Sequence, residues 1–125
     1  MSSCGPEIFG ADPINIRWSV VRGDTSTIRV DFLNDDEATY LDTSGWTFIA
    51  SAYDSKTDIV DELNIELHSG YVIISAPAET TSLWGTTYGG TVAELSFDLQ
   101  VTIDNTIWTP VIGTISVIGD VSTGL

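Results

Sequence analysis

Leu95-Ser96-Phe97-Asp98-Leu99-Gln100-Val101-Thr102-Ile103 decides the fold class of this chain. Apolar and polar side chains alternate through it without a break. An extended backbone turns successive side chains to opposite faces, so this stretch is a strand with one buried and one wet face. Such one-sided strands belong to antiparallel sheets. A helix would instead need apolar residues three and four apart.

The same period recurs on either side. Ile28, Val30 and Phe32 alternate with Thr27, Arg29 and Asp31, and Leu63, Ile65 and Leu67 with Glu62, Asn64 and Glu66. Residues 45–53 place Trp46, Phe48, Ala50 and Ala52 on one face. Residues 71–76 form a short, wholly apolar strand, residues 109–121 a closing strand rich in Val, Ile and Thr, and residues 15–21 an opening one. Turn residues punctuate these runs: Arg22-Gly23-Asp24, residues 34–37, residues 54–58, Ser69-Gly70 and Asp104-Asn105. About seven short strands so spaced predict an all-β sandwich or barrel. Residues 77–84 depart from the pattern. Pro77, the acidic Glu79 and the closing Gly85 predict one short helical turn bridging two sheets. Residues 86–91 read as a Gly/Tyr loop.

Charge excludes several functions. Eighteen acidic residues face four basic ones in 125, a formal net charge of −14. Nucleic-acid binding needs a basic stripe to displace counterions, and Arg17, Arg22, Arg29 and Lys56 are all the basic side chains there are. An anionic membrane surface is disfavoured for the same reason. No apolar run approaches the ~18 residues of a membrane-spanning helix. Residues 1–11 carry neither a basic residue nor an apolar stretch, so no secretory signal is expected there. Cys4 is the single cysteine, which leaves no internal disulfide and no cysteine-based zinc site.

Nothing in the residues assembles a catalytic centre, and no catalytic, cofactor or metal residue is assigned. His68 is the only histidine, at a strand end beside Ser69-Gly70, and no nucleophile elbow accompanies it. Asp35-Asp36-Glu37 and the Asp54, Asp58, Asp61 group offer hard oxygen ligands but lack the spacing of a calcium loop, so they read as solvated turns. Trp46, Trp84, Trp108, Tyr53 and Tyr88 could instead build a sugar-binding platform. Arg22-Gly23-Asp24 spells an integrin tripeptide, but glycine supplying a turn that Asp24 and Thr25 cap by local hydrogen bonds is the stronger reading.

Five segments together resemble a known family: Val21-Arg22-Gly23-Asp24-Thr25, Leu41-Asp42-Thr43-Ser44-Gly45-Trp46-Thr47-Phe48, residues 75–83, Phe97-Asp98-Leu99-Gln100-Val101, and residues 113–122. In this order they are similar to the immunoglobulin-like N-terminal domain of phage baseplate upper proteins, a group of small tailed-phage virion proteins. The resemblance runs from Val20 to Ser122. It implies an immunoglobulin-like antiparallel β-sandwich acting as a non-enzymatic docking or decoration module on the capsid, neck, tail or baseplate, located in the virion after assembly in the host cytoplasm. It carries over no catalytic residue. The loop at 86–91 and an N-terminal arm of residues 1–14, ahead of a domain of residues 15–125, are departures from the group.

On this reading the partners are other virion proteins and further copies of the chain. The contact candidates are Ile8, Phe9 and Ile14 of the arm, which gain little by packing alone and could order on a neighbour. Trp84, Tyr88 and Trp108 are added as tip-loop aromatics, the residue class that dominates binding hot spots. Trp46 and Phe97 are expected in the core. The alternative function is a carbohydrate-binding or host-adhesion module using exposed aromatics.

Overall fold

A computed structural model describes residues 13–34, 36, 38–85 and 92–119. The described residues form eight strands and one helical turn: β1 (Ile14–Val21), β2 (Ser26–Asp31), β3 (Thr47–Asp54), β4 (Ile59–Glu62), β5 (Asn64–His68), β6 (Tyr71–Ala76), α1 (Ala78–Thr81), β7 (Val92–Ile103) and β8 (Thr106–Ile118). The larger sheet has the order β1-β8-β7-β3-β4 and the smaller β2-β6-β5. In immunoglobulin lettering the small sheet is B-E-D and the large one G-F-C-C′, with the first strand added on the G edge. The fold is an immunoglobulin-like β-sandwich.

The anchoring stretch behaves as its alternation requires. Ala93, Leu95, Phe97, Leu99 and Val101 of β7 are buried, while Glu94, Ser96 and Gln100 are exposed. Trp18 on β1 packs edge-on against Phe97, ring centroids 5.7 Å apart, and its indole donates to Ser26 Oγ at 2.9 Å. That bond links the larger sheet to the first residue of β2 on the smaller one. Phe32, Trp46, Phe48 and Trp108 form an aromatic cluster in the same interior. Asp104 and Asn105 both take positive φ, at 50° and 68°, which suits the two-residue hairpin joining β7 to β8.

Three features differ from the sequence reading. The sandwich is not wholly antiparallel, because β1 runs parallel to β8, from Ile14 opposite Val111 to Val21 opposite Ile118. Chain path dictates this direction. A tight corner turns β1 back into β2, β2 is antiparallel to β6, and further reversals lead to β7 and then β8. The accumulated reversals leave β1 and β8 pointing the same way. The strands also number eight rather than about seven, since β4 precedes Leu63 where a turn and a single strand were expected. Leu63 is buried as the chain passes from the edge of one sheet to the edge of the other. Finally, β8 begins at Thr106 and bulges. Leu99 faces Val111 and Val101 faces Trp108, so Gln100 stands opposite Thr109-Pro110. Proline cannot donate to a regular ladder, and the bulge accommodates it.

The short helix lies between β6 and β7 and so bridges the two sheets, with Pro77 at its N-cap. Gly113 permits a close approach between β8 and β1. A Cβ there would lie 2.1 Å from the Ile16 carbonyl oxygen.

Candidate functional site

The three-residue Arg22-Gly23-Asp24 motif is spent on architecture. Arg22 Nε donates to the Trp84 carbonyl at 2.8 Å and Nη2 to that of Gly85 at 3.2 Å. Gly23 N–H donates to Thr81 Oγ1 at 3.1 Å, and that hydroxyl donates to the Asp24 carbonyl at 2.8 Å. Arg22 N–H meets the Ile118 carbonyl at 2.8 Å. The end of β1, the helical turn and the end of β8 are thereby bolted into one corner. The Arg22 guanidinium points at these carbonyls rather than at a receptor.

Two of the contact candidates are core residues. Trp84 is 3% exposed and donates Nε1–H to Asp61 Oδ2 at 2.8 Å; Trp108 is 8% exposed. Trp84 follows the helical turn, held by its own N–H to the Thr81 carbonyl, and its indole tucks inward. Trp108 lies inside β8 rather than on a tip loop, on the inward side of the bulge. The sugar-platform alternative loses these two aromatics as surface groups. Ile14 is exposed, at 67%, where the chain enters β1 on the open edge of the larger sheet. Ile8, Phe9 and Tyr88 lie outside the described residues, as does most of the arm 1–14.

The acidic turns spend their oxygens locally. Asp36 Oδ1 accepts from the N–H groups of Ala38 and Thr39, and Asp42 Oδ1 from the N–H and hydroxyl of Ser44. These bonds hold both carboxyls below their ordinary range. Asp54 Oδ1 accepts from Lys56 N–H, and Asp58 Oδ1 from the Tyr53 hydroxyl. Asp35 and Glu37 lie outside the described residues. Among the described residues no three acidic, histidine or cysteine side chains come together.

His68 lies on the outer face of the smaller sheet, stacked on Tyr71 at 4.4 Å with its Nε2 against Glu66. The Arg29 guanidinium sits 3.7 Å from the Tyr71 ring centre, bonded also to Asp31 and to the Tyr40 hydroxyl. The partners of this surface group are already within it.

The opposite face carries a groove of about 550 Å³ across the larger sheet. Its position follows from register. Asn15 pairs with Ile112, Ile112 with Asp98, and Asp98 with Ser51, one residue from each of four adjacent strands. The neighbouring row runs Thr114, Ser96, Tyr53, Val60. Gln100 completes the rim. Asp98 stands half-buried in the middle, and burial raises its pKa above the ordinary carboxylate value. No donor among the described residues bonds to it. Arg17, a cation on this face among the described residues, is engaged by Glu94 Oε2 at 3.1 Å and Ser116 Oγ at 2.6 Å. The groove was half-legible in the sequence. Ser96, Asp98 and Gln100 read as the wet side of their strand, but cross-strand register decides what stands beside them.

No family model matches the chain, and no curated protein matches it. Among solved structures it is similar to an uncharacterized protein from Bacillus anthracis str. Ames, at 11% identity and a TM-score of 0.34, over 91% of this chain and 82% of that one.

Proposed function

We propose that this chain is a non-enzymatic structural protein of a tailed-phage virion, an immunoglobulin-like module that docks on or decorates the particle. The observation that carries the reading is the corner built by Arg22, Thr81 and Ile118. The segments around these residues are separate in sequence, and each belongs to the resemblance to phage baseplate upper proteins. In space they interlock through side-chain and backbone hydrogen bonds, which supports a likeness of architecture rather than of composition. Two further features suit docking. Among the described residues β1 and β4 are the edge strands of the larger sheet, and unpaired strand edges bind neighbouring chains readily. Its outer face is an open groove, accessible to a segment of another protein.

The test is mass spectrometry of gradient-purified particles from a lysate that expresses the chain. A fixed copy number per particle, retained through repeated banding, supports the proposal. Absence from banded particles while the chain is abundant in the soluble lysate overturns it.

A further inference from the structure

We propose that the groove on the larger sheet seats an arginine side chain presented by a partner protein, with Asp98 as its counter-ion. This rests on the docking reading above and names the chemistry of the partner. A carboxylate partly withdrawn from water carries a desolvation cost that a counter-ion offsets. Asp98 is half-buried with no hydrogen-bond donor among the described residues, and burial alone moves its pKa. The chain's own candidate on this face, Arg17, is held by Glu94 and Ser116.

The surroundings favour guanidinium over a compact ammonium. Ser51, Ser96, Tyr53 and Gln100 line the groove beside Asp98 and supply oxygen acceptors on several sides. A planar fork with five N–H donors spread over three nitrogens can use such a distributed set, whereas the three donors of an ammonium all sit on one compact nitrogen. Ile112 and Val60 supply apolar wall for the aliphatic stem. The net charge of −14 adds long-range attraction for a basic segment without deciding where it lands.

The probe is an acetylated Gly-Arg-Gly amide, titrated into ¹⁵N-labelled full chain at physiological salt, with the citrulline peptide as its uncharged isostere. Saturable shifts at the amides of Ser96, Asp98, Ser51 and Ile112 are expected. The citrulline peptide and the Asp98→Asn variant should each bind at least about tenfold more weakly. Ser96→Arg, which places a guanidinium from the chain itself at the groove, provides an independent variant and should also abolish the shifts. Shifts scattered over the acidic surface, or binding unchanged by both substitutions, overturn the proposal. Particle incorporation separates this inference from the function it rests on. Asp98→Asn and Ser96→Arg chains that fold yet still enter particles at wild-type copy number refute the arginine site and leave the virion role standing. Failure of the wild-type chain to enter particles refutes the role itself.

Discussion

Replacing Thr81 by valine removes one hydroxyl and nearly keeps the shape of the side chain. Thr81 is 0% exposed, and its Oγ1 accepts from Gly23 N–H at 3.1 Å while donating to the Asp24 carbonyl at 2.8 Å. Valine leaves both backbone groups without that partner. A buried polar group stripped of its hydrogen bond costs about 1–3 kcal/mol. Gly23 and Asp24 are themselves exposed, so water can recover part of the loss, which places the total near the low end, ~2 kcal/mol for the pair. That is a sizeable share of the ~5–15 kcal/mol that holds a typical domain folded. For a chain of this size it corresponds to a fall in Tm of ~8 °C. Thr81→Ser keeps the hydroxyl and loses only a methyl group, which costs ~1 kcal/mol. Urea denaturation followed by circular dichroism gives both values. A valine variant within ~0.5 kcal/mol of wild type, the range of an ordinary surface change, would refute the corner as a structural bolt. So would a serine variant as unstable as the valine one.

Three other perturbations have definite signs. Asp98→Asn should raise Tm at neutral pH: with its folded-state pKa raised, Asp98 disfavours folding once ionised, so the advantage of asparagine is full above the raised pKa and vanishes as pH falls to the ordinary carboxylate value; melts from neutral to acid pH with no such crossover would contradict the desolvated carboxylate. Variants retaining only Trp84 or only Trp108 should emit at short wavelength and resist quenching by iodide, and Trp84→Ala should cost ~3–5 kcal/mol; ready quenching of either would place it back on the surface. Gly113→Ala forces a methyl against the Ile16 carbonyl and should cost at least ~1–3 kcal/mol, with amide exchange accelerated first along β1; unchanged exchange there would refute the close β1–β8 approach.

Much of the sandwich is written in side-chain period. The β7 stretch is legible because one face is sealed and the other wet, and Tyr71–Ala76 because it is apolar but for Ser75 and bounded by Ser69-Gly70 and Pro77. Strand β4 escapes notice because Ile59 and Val60 are both exposed on an edge, so no buried face imprints an alternation. The direction of β1 is invisible locally, since it is set by the whole path through two sheets. Trp108 is misplaced by reading the final strand as starting at residue 109, when the hairpin at Asp104-Asn105 lets β8 start at Thr106. Trp84 shows that a residue next to a loop can still turn its ring into the core. The groove needs four strands in register, and Asp98 becomes notable only once its neighbours are known to leave it without a cation.

The most direct test of a virion role is antibody–gold labelling of intact particles, viewed by negative-stain microscopy. Gold is expected at one defined position, over the head for a decoration protein or at the neck, tail or baseplate for a docking module. Particles that are intact, otherwise reactive and wholly unlabelled would contradict it.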